Sequence, residues 1–337
     1  MTIKDIAKQC SVSGSTVSRV LNDRPDVSED VRRKVLSAIK NSNYIPNNSA
    51  RDLVRTKSDA VGLVVRGVSN PFYTDIIRAI ERTITDAGFT MVMQQIGTCD
   101  DEVKCGAVME REKRLQGIVF LGGRFDYTPA DLAKLNVPFV CCSYSTRYGT
   151  LIEGEYSSVS IADGDTAQQA VEELYRHGHR RIAALISRPN DQSISQLRYE
   201  GYVQALESHG IPVDPELVIS TGGFSAKDAY RAVQEKMAEN VDFTALFAIA
   251  DSMAIGAMRA LMDAGRRIPE DCSVIAIDGL ELSAYIEPPL TTLSQPMEEM
   301  GRRSAEILLD MVRHKGSHAC ELLPTTLRRG RSDAAPR

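Results

Sequence analysis

The stretch TIKDIAKQCSVSGSTVSRVLND, residues 2–23, decides the fold at the head of the chain. Its apolar positions recur twice at helical spacing, which predicts a first short helix over residues 3–9 and a second over residues 14–21. A turn at residues 11–13 separates them, and Ser13 is well placed to cap the second helix. The pattern therefore predicts two short helices joined by a tight turn.

A third helix is predicted after the loop at residues 22–27. Ser28 is expected to cap it, acidic residues occupy its first turn, and an apolar stripe follows on one face. Three short helices around one small core form a helix-turn-helix architecture. The second helix exposes short polar side chains and one long one, with no acid among them, a face that suits a DNA major groove. An ordinary solvated polar face is the alternative that this pattern leaves open.

Charge is distributed unevenly along the 337 residues. The whole chain carries 40 Lys and Arg against 45 Asp and Glu, a net charge of -5. Residues 1–58 nevertheless hold eleven basic and six acidic residues. A basic head on an acidic body fits a local surface for phosphates, although chance clustering on a small domain would give the same count.

The sequence VSGSTVSRVLN, residues 12–22, closely resembles the helix-turn-helix signature of the LacI/GalR (lactose-repressor) family of bacterial regulators. The resemblance continues through YIPNNSARDLVRTKSDAVGLVV, residues 44–65, and covers essentially the whole chain. It implies a DNA-binding transcription regulator, most simply a dimeric repressor on a pseudo-palindromic double-stranded DNA operator. A small effector, a sugar or sugar derivative, would control its affinity for that operator.

The resemblance also implies roles for the residues of the second helix. Base contacts would come from Gly14, Ser15 and Arg19, and phosphate contacts from Ser13, Thr16, Ser18 and Asn22. Two positions depart from the family pattern. Ser11 stands where the family usually has Gly, so a positive φ is expected there. Gly14 offers no side chain to a base, so sequence readout should depend on Arg19 and Ser15.

Residues 47–59 are predicted to be a hinge between the head, residues 1–46, and the body. A helix over residues 48–55 is too short to be stable alone in water and is expected to fold on DNA. The resemblance implies that Leu53 wedges into the minor groove and that Ala50 is a close-approach residue. A plain flexible linker is the alternative.

The body, residues 60–337, alternates apolar strands such as VGLVV, GIVFLG and SVIAID with amphipathic helices. This alternation predicts parallel sheets covered on both faces, and there are too many units for one sheet. The fold class is therefore an all-α helix-turn-helix head plus an α/β body, whose two parallel-sheet subdomains are, by the resemblance, of periplasmic-binding-protein-like type. The expected subdomain boundaries are about 60–176 with 294–322, and about 177–293 with 323–332. This body would bind the effector and form the dimer.

Ligands in such folds bind beyond the carboxyl ends of strands, so the residues that follow strands are the candidate effector contacts. They combine aromatic rings, carboxylates, amides and one guanidinium, which suits a polyol. The candidates are Ser69, Asn70, Phe72, Tyr73, Asp163, Arg198, Phe224, Asp251, Asp278 and Gln295. Arg198 is favoured because the family has an effector-gripping Arg there.

Plainer roles remain open for several of these candidates. Asp163 and Asp251 are equally suited to cap the helices that follow them, and Phe72 and Tyr73 to pack in a core. The chain has Ala250 where the family commonly has Asn before Asp251, and Gly279 where it commonly has a second acid. These departures keep a purine or nucleoside, or a protein corepressor, open as alternative effectors.

Other classes of protein lack support in the sequence. There is no GxGxxG after a strand, no GxxxxGK[ST] and no nucleophile elbow, so we predict no enzyme and no cofactor. HKGSH at residues 314–318 lacks the glutamate of a zinc protease, and the seven cysteines include no CxxC, so no metal site is predicted. A signal peptide and a membrane span are not indicated, and a cytoplasmic protein is expected. The ending RRGRSDAAPR is predicted to be a short disordered tail rather than a zipper, which favours a dimer.

Overall fold

The computed structural model describes residues 2–21, 24–42, 58–67, 70–97, 100–123, 126–144, 150–152, 154–188 and 193–336. The chain forms two compact units, Met1–Ser58 and Asp59–Arg337.

The first unit is a three-helix head consisting of α1 (Ile3–Cys10), α2 (Gly14–Leu21) and α3 (Glu29–Asn41). Its core is centred on Ile6, Val17 and Val35, one fully buried side chain from each helix. The apolar spacing that predicted the three helices thus supplies their common core.

Of two predictions made for the ends of the head helices, the structure confirms the one for Ser11 and differs in part from the one for Ser28. Ser11 follows α1 with φ 53°, which confirms the expected left-handed conformation. Ser28 precedes α3 as expected, but its side chain makes no capping hydrogen bond. The first turn of α3 instead carries Glu29 and Asp30, whose charges favour the positive end of the helix dipole.

The second unit is an α/β body built on two six-stranded sheets among the described residues. The strands are β1 (Ala60–Arg66), β2 (Thr90–Ile96), β3 (Gly117–Leu121), β4 (Phe139–Cys142), β5 (Ser157–Ser160), β6 (Ile182–Ile186), β7 (Val218–Ser220), β8 (Ala245–Ala248), β9 (Ser273–Asp278), β10 (Thr291–Ser294), β11 (Cys320–Leu322) and β12 (Thr326–Arg328). The helices are α4 (Tyr73–Asp86), α5 (Glu102–Lys113), α6 (Pro129–Leu132), α7 (Asp163–Arg176), α8 (Ile194–Ser208), α9 (Ala226–Ala238), α10 (Asp251–Asp263) and α11 (Met297–His314). None of these helices is long and apolar enough to cross a membrane.

The first sheet has the strand order β11-β5-β4-β3-β1-β2, and all its strand pairs are parallel. The second has the order β12-β10-β9-β8-β6-β7, with β12 the antiparallel edge strand. The central strands are buried along their whole length, as expected for sheets covered on both faces. The predicted fold class of the body, two parallel-sheet subdomains, is confirmed.

The first crossing between the two subdomains lies earlier than the sequence pattern suggested. The pattern assigned residues up to 176 to the first subdomain, but α7 packs against α8 and the second sheet. The chain therefore crosses at residues 161–162, directly after β5. An amphipathic helix shows which face is buried but not which sheet buries it, and this is why the boundary was misplaced by one helix.

The end of the chain also differs from the prediction of a disordered tail. The hydroxyl of Ser332 is fully buried, donates to the Val274 carbonyl and accepts from the Thr291 backbone N–H. The Ala334 carbonyl accepts a hydrogen bond from the buried His179. Short polar residues gave no hydrophobic signal for this segment, because its order comes from hydrogen bonds to the second subdomain.

Candidate DNA-binding surface and effector site

The head presents one face of α2 away from its core. Val17 and Val20 are buried and anchor the helix, so the positions between them point outward. Ser13 accepts a hydrogen bond from the Thr16 backbone N–H at 3.1 Å, which confirms its predicted capping role. Its hydroxyl also lies 2.7 Å from that of Ser15, so hydroxyl groups cluster at the N-terminus of α2, where a helix attracts phosphates.

The remaining predicted DNA contacts on α2 are accessible. A Cβ added at Gly14 would meet nothing within 4 Å, so this position is open to close approach. The side chain of Arg19 is 61% exposed and forms an ion pair with Asp26 at 3.4 Å. Because exposed ion pairs contribute little free energy, Arg19 can leave Asp26 for a contact with DNA at little cost. Ser18 is partly exposed on the same helix. The predicted contacts Asn22, Ala50 and Leu53 lie outside the described residues.

The body contains a buried charge cluster centred on Arg198 of α8, whose side chain is 1% exposed. Its Nε donates to Asp163 at 2.8 Å, and its Nη1 donates to the Ile249 carbonyl at 2.5 Å and to Asp278 at 3.2 Å. The amide of Gln295 donates to the same Asp278 oxygen at 2.9 Å. The structure thus brings together four of the residues predicted from the sequence.

Local chain geometry explains this convergence. Asp163 is the first residue of α7, Asp278 the last of β9, and Gln295 directly follows β10, so all three lie at ends of secondary-structure elements around the second sheet. Asp278 has φ 137° and Gly279 has φ 82°. A Cβ at Gly279 would lie 2.4 Å from the Ser294 hydroxyl oxygen. The absence of a second acid here therefore has a steric and conformational reason.

Three polar atoms of the cluster are buried without a hydrogen-bond partner in the part of the chain that the structure describes: Arg198 Nη2, Asp278 Oδ2 and Gln295 Oε1. Buried polar groups are nearly always paired in native proteins, because an unpaired one costs about 1–3 kcal/mol. One donor and two acceptors, held rigidly in a dry environment, are the complement of a small hydroxylated ligand.

Burial and charge oppose each other in this cluster. Burial raises the pKa of Asp278 and of Asp163, while the guanidinium of Arg198 counteracts both shifts. Burial also disfavours the charged form of Arg198, but the two carboxylates outweigh it and raise its pKa. The guanidinium therefore stays charged, and its two carboxylate partners compensate the cost of removing it from water.

Tyr73 of the first subdomain interacts electrostatically with this cluster. Burial, and then the nearby Asp278 carboxylate, raise the pKa of Tyr73 to about 12, so its hydroxyl remains a donor at neutral pH. Phe72 is 1% exposed and packs in the core, with its ring centre 5.7 Å from that of Tyr73. The Asn70 side chain accepts from the Phe72 backbone N–H and supports the loop. Ser69 lies outside the described residues.

Two predicted effector residues do not join the cluster. Asp251 is fully buried, and both of its carboxylate oxygens accept hydrogen bonds from other groups of the second subdomain. Phe224 is partly buried in the loop before α9, and its carbonyl accepts from Ser252. Neither Asp163 nor Asp251 caps its own helix, since Ala162 and Ala250 occupy the capping positions.

Sequence reasoning missed a second buried polar group, located in the first subdomain. Glu102 opens α5 and is 1% exposed, with its Oε2 4.0 Å from Nε of Arg66 at the end of β1. Tyr127 donates to the neighbouring Asp101 at 3.5 Å. Arg66 follows a run of five apolar or small residues at a strand end, the same signal that identified other candidates. The strand-end rule, applied to Arg66, would therefore have identified the polar group formed by Arg66 and Glu102.

A cavity of about 540 Å³ borders the Arg198 cluster at Asp163. It lies between α8 and β11, and its walls include Tyr156, Leu197 and Glu321 but not Arg198 itself. Within the described residues no three His, Cys, Asp or Glu side chains are grouped as metal ligands. The Arg198 cluster and this cavity therefore share Asp163 but are otherwise lined by different side chains.

Comparisons with known proteins agree with both units. The profile described as bacterial regulatory proteins, lacI family, matches residues 2–47, and that described as periplasmic binding protein-like domain matches residues 171–332. The HTH-type transcriptional regulator MalR of Clostridium butyricum is 39% identical over 333 residues, which cover 97% of this chain and 97% of that protein.

Two solved structures are similar over nearly the full length. A transcriptional regulator CelR–cellobiose complex is 31% identical with a TM-score of 0.72, covering 98% of this chain and 99% of that one. The lac repressor dimer bound to operator and the anti-inducer ONPF is 28% identical with a TM-score of 0.79, covering 99% of both chains. These likenesses confirm the predicted helix-turn-helix head on an α/β body.

Proposed function

The chain belongs to the lacI family of bacterial regulatory proteins, DNA-binding transcription repressors, and from this premise we propose that its operator affinity is controlled by a neutral carbohydrate. The observation that carries the proposal is the set of atoms in the Arg198 cluster that have no hydrogen-bond partner among the described residues. Hydroxyl groups both donate and accept, so they satisfy Asp278 Oδ2, Gln295 Oε1 and Arg198 Nη2 together.

The charge of the cluster favours a neutral ligand over an anionic one. Asp163 and Asp278 already balance Arg198, and two of the three unpartnered atoms are acceptors. A phosphate or carboxylate placed there would face oxygen acceptors and gain only one donor. The similar CelR structure contains cellobiose, a neutral sugar, which supports this class of effector.

A thermal-shift screen of neutral mono- and disaccharides, sugar phosphates and nucleosides tests this proposal. A ligand that binds only the native state raises the unfolding midpoint, and the rise grows with the logarithm of one plus its concentration over Kd. We expect neutral sugars to raise it. Stabilisation by phosphorylated sugars or nucleosides alone would refute the carbohydrate assignment while leaving the family membership untouched.

Arg198→Lys identifies the site for any neutral sugar that binds. Lys retains the positive charge but lacks the planar fork, so Nη2 is lost and the carboxylates keep a cation. Calorimetric affinity for the sugar should fall at least about tenfold, the cost of roughly 1.4 kcal/mol. Arg180→Lys is the matched control, because Arg180 is exposed over the Tyr175 ring. Equal affinities in the two variants would place the sugar elsewhere.

DNA recognition is proposed to depend on Arg19 of α2, the long exposed donor on that face. Duplexes selected from a random library by the wild-type protein provide the operator probe. Arg19→Ala should lose about 1–3 kcal/mol of preference for the selected sequence and keep salt-sensitive binding to random DNA. Arg33→Ala, which removes another exposed arginine side chain, 77% exposed, from α3, is the control. An unchanged preference in Arg19→Ala would remove Arg19 from base readout.

We further propose that two copies of the body associate, so that two heads bind the two halves of a pseudo-palindrome. Large apolar side chains are exposed after β9, where Leu282 is 61% and Tyr285 78% exposed. Such neighbouring apolar groups favour an interface. The similar lac repressor structure is a dimer, which supports this arrangement. Sedimentation of the purified protein is the direct test.

A further inference from the structure

Asp251 is a buried acid that the effector cluster does not use. It is the first residue of α10 and is fully buried. Its Oδ2 accepts from the backbone N–H of Gly279 at 3.1 Å, from that of Leu280 at 2.8 Å and from the Ser283 hydroxyl at 2.7 Å. Its Oδ1 accepts from the Thr292 hydroxyl at 2.5 Å. One carboxylate therefore ties α10 to β10 and to three residues after β9.

The segment that Asp251 holds, residues 278–285, has different surroundings at its two ends. Asp278 at its start is buried against Arg198 and carries one of the unpartnered acceptors. Leu282 and Tyr285 near its end are among the most exposed large apolar side chains of the body. Between these ends the segment forms a 3₁₀ turn at Glu281–Ala284.

A second charged side chain holds the same segment from another element. Arg328 of β12 donates through its guanidinium to the carbonyls of Gly279 at 3.3 Å and Leu280 at 3.1 Å, and its Nη2 lies 3.9 Å from Asp251. The N–H groups of the segment thus point to a carboxylate and its C=O groups to a guanidinium. Gly279, Leu280 and Ser283, which lie between the buried and the exposed end, are thus held by charge-assisted hydrogen bonds, the stronger kind.

We propose that Asp251 is a positioning residue that couples the effector cluster to the association of two copies, by holding residues 278–285 as one rigid unit. This rests on the proposed function for its two ends, the Arg198 cluster and the apolar surface of Leu282 and Tyr285. A ligand that moves Asp278 would then displace Tyr285, and association would change ligand affinity by the same factor in return. Asp251 itself would not touch the effector.

Hydrogen bonding predicts which substitutions preserve this role. The two backbone N–H groups can only donate, so the side chain at 251 must offer them an acceptor. Asn offers its carbonyl oxygen to them and its amide to the Thr292 hydroxyl, which can also accept. Ala offers nothing. Asp251→Asn should therefore retain most of the positioning, and Asp251→Ala should lose it.

Hydrogen exchange measured by mass spectrometry on the full-length protein tests the positioning. In Asp251→Ala, we expect exchange at the Gly279 and Leu280 amides to rise at least about tenfold, and in Asp251→Asn by less than about threefold. Tyr202→Phe is the matched control, because it removes one buried hydrogen bond, to the Ile182 carbonyl, in the same subdomain. Equal exchange of residues 278–285 in Asp251→Ala and wild type, or equal loosening in Tyr202→Phe, would overturn the positioning role.

The dimer dissociation constant from sedimentation tests the coupling without any ligand. Asp278→Asn changes the charge of the cluster and should shift this constant at least about threefold when Asp251 is present. In Asp251→Ala the same change should shift it less than about 1.5-fold. Equal shifts in both backgrounds would overturn the coupling alone. A monomeric wild-type protein would instead refute the proposed dimer together with the coupling, and the exchange measurement would still decide the positioning role.

Discussion

At the residue scale, Ser11 shows how one backbone conformation limits the stability of the head. It ends α1 with φ 53° and ψ 43°, where side chains with a Cβ are strained and glycine is not. Ser11→Gly should therefore stabilise the head by about 1 kcal/mol. The measurement is amide exchange or chemical denaturation monitored on residues 2–42 of the full-length protein.

Ser42→Gly is the control for that prediction at the same scale. Ser42 ends α3 with φ -99°, and its hydroxyl donates to the Ala38 carbonyl at 2.6 Å. Glycine gains nothing from a negative φ and loses this bond, so it should destabilise the head slightly. If Ser11→Gly behaved like Ser42→Gly, the left-handed conformation would not be the reason for the effect.

At the element scale, close packing of α7 on α8 sets the geometry of the Arg198 cluster. A Cβ at Gly201 of α8 would lie 2.1 Å from the carbonyl oxygen of Gly164 in α7. Asp163 and Arg198, 2.8 Å apart, sit on these two helices close to that contact. Gly201→Ala must therefore push the helices apart, and we expect it to lower the free energy of unfolding by about 1–3 kcal/mol, measured by urea denaturation.

The same substitution elsewhere isolates packing from helix propensity. Alanine normally stabilises a helix relative to glycine by about 1 kcal/mol, so the expected sign at Gly201 is opposite to the intrinsic preference. Gly14→Ala is the control, since Gly14 is the first residue of α2 and a Cβ there would meet nothing within 4 Å. A stabilised Gly201→Ala protein would show that the two helices separate at little cost.

At the scale of the whole molecule, the last residues are held in place by His179, and this contact makes stability depend on pH. Its Nε2 must donate to the Ala334 carbonyl, which only accepts, so Nδ1 accepts from the Thr244 hydroxyl at 2.9 Å. Burial, the largest influence, lowers the pKa of His179 below the ordinary value of 6.5. The fold therefore favours the neutral ring.

The sign of the pH dependence follows from this shift. Below pH 6.5 His179 binds a proton more readily in the unfolded chain than in the folded protein. The free energy of unfolding therefore falls as the pH is lowered. This contribution is complete above the ordinary pKa and is lost as the pH falls through the depressed one. Urea denaturation across pH 5 to 8 should show it in wild type and in His314→Gln, whose ring is at the exposed end of α11. An undiminished slope in His179→Gln would assign the dependence to another group.

The sequence by itself determined the elements of this protein and its family. Apolar spacing of three to four residues marked the head helices, continuous apolar runs marked the buried strands, and residues 12–22 carried the resemblance. The strand-end rule also identified Asp163, Arg198, Asp278 and Gln295. These signals are local, because a helix or strand reveals its buried face within a few residues.

Only the tertiary structure decided how these parts are used. It assigned α7 to the second sheet, ordered the end of the chain through His179 and Ser332, and separated Asp251 from Arg198. Each outcome depends on partners far away in sequence, such as Thr292 for Asp251. A carboxylate has the same letter whether it accepts hydrogen bonds from a ligand or from the backbone of a distant loop, so its role is set by the groups that folding brings to it.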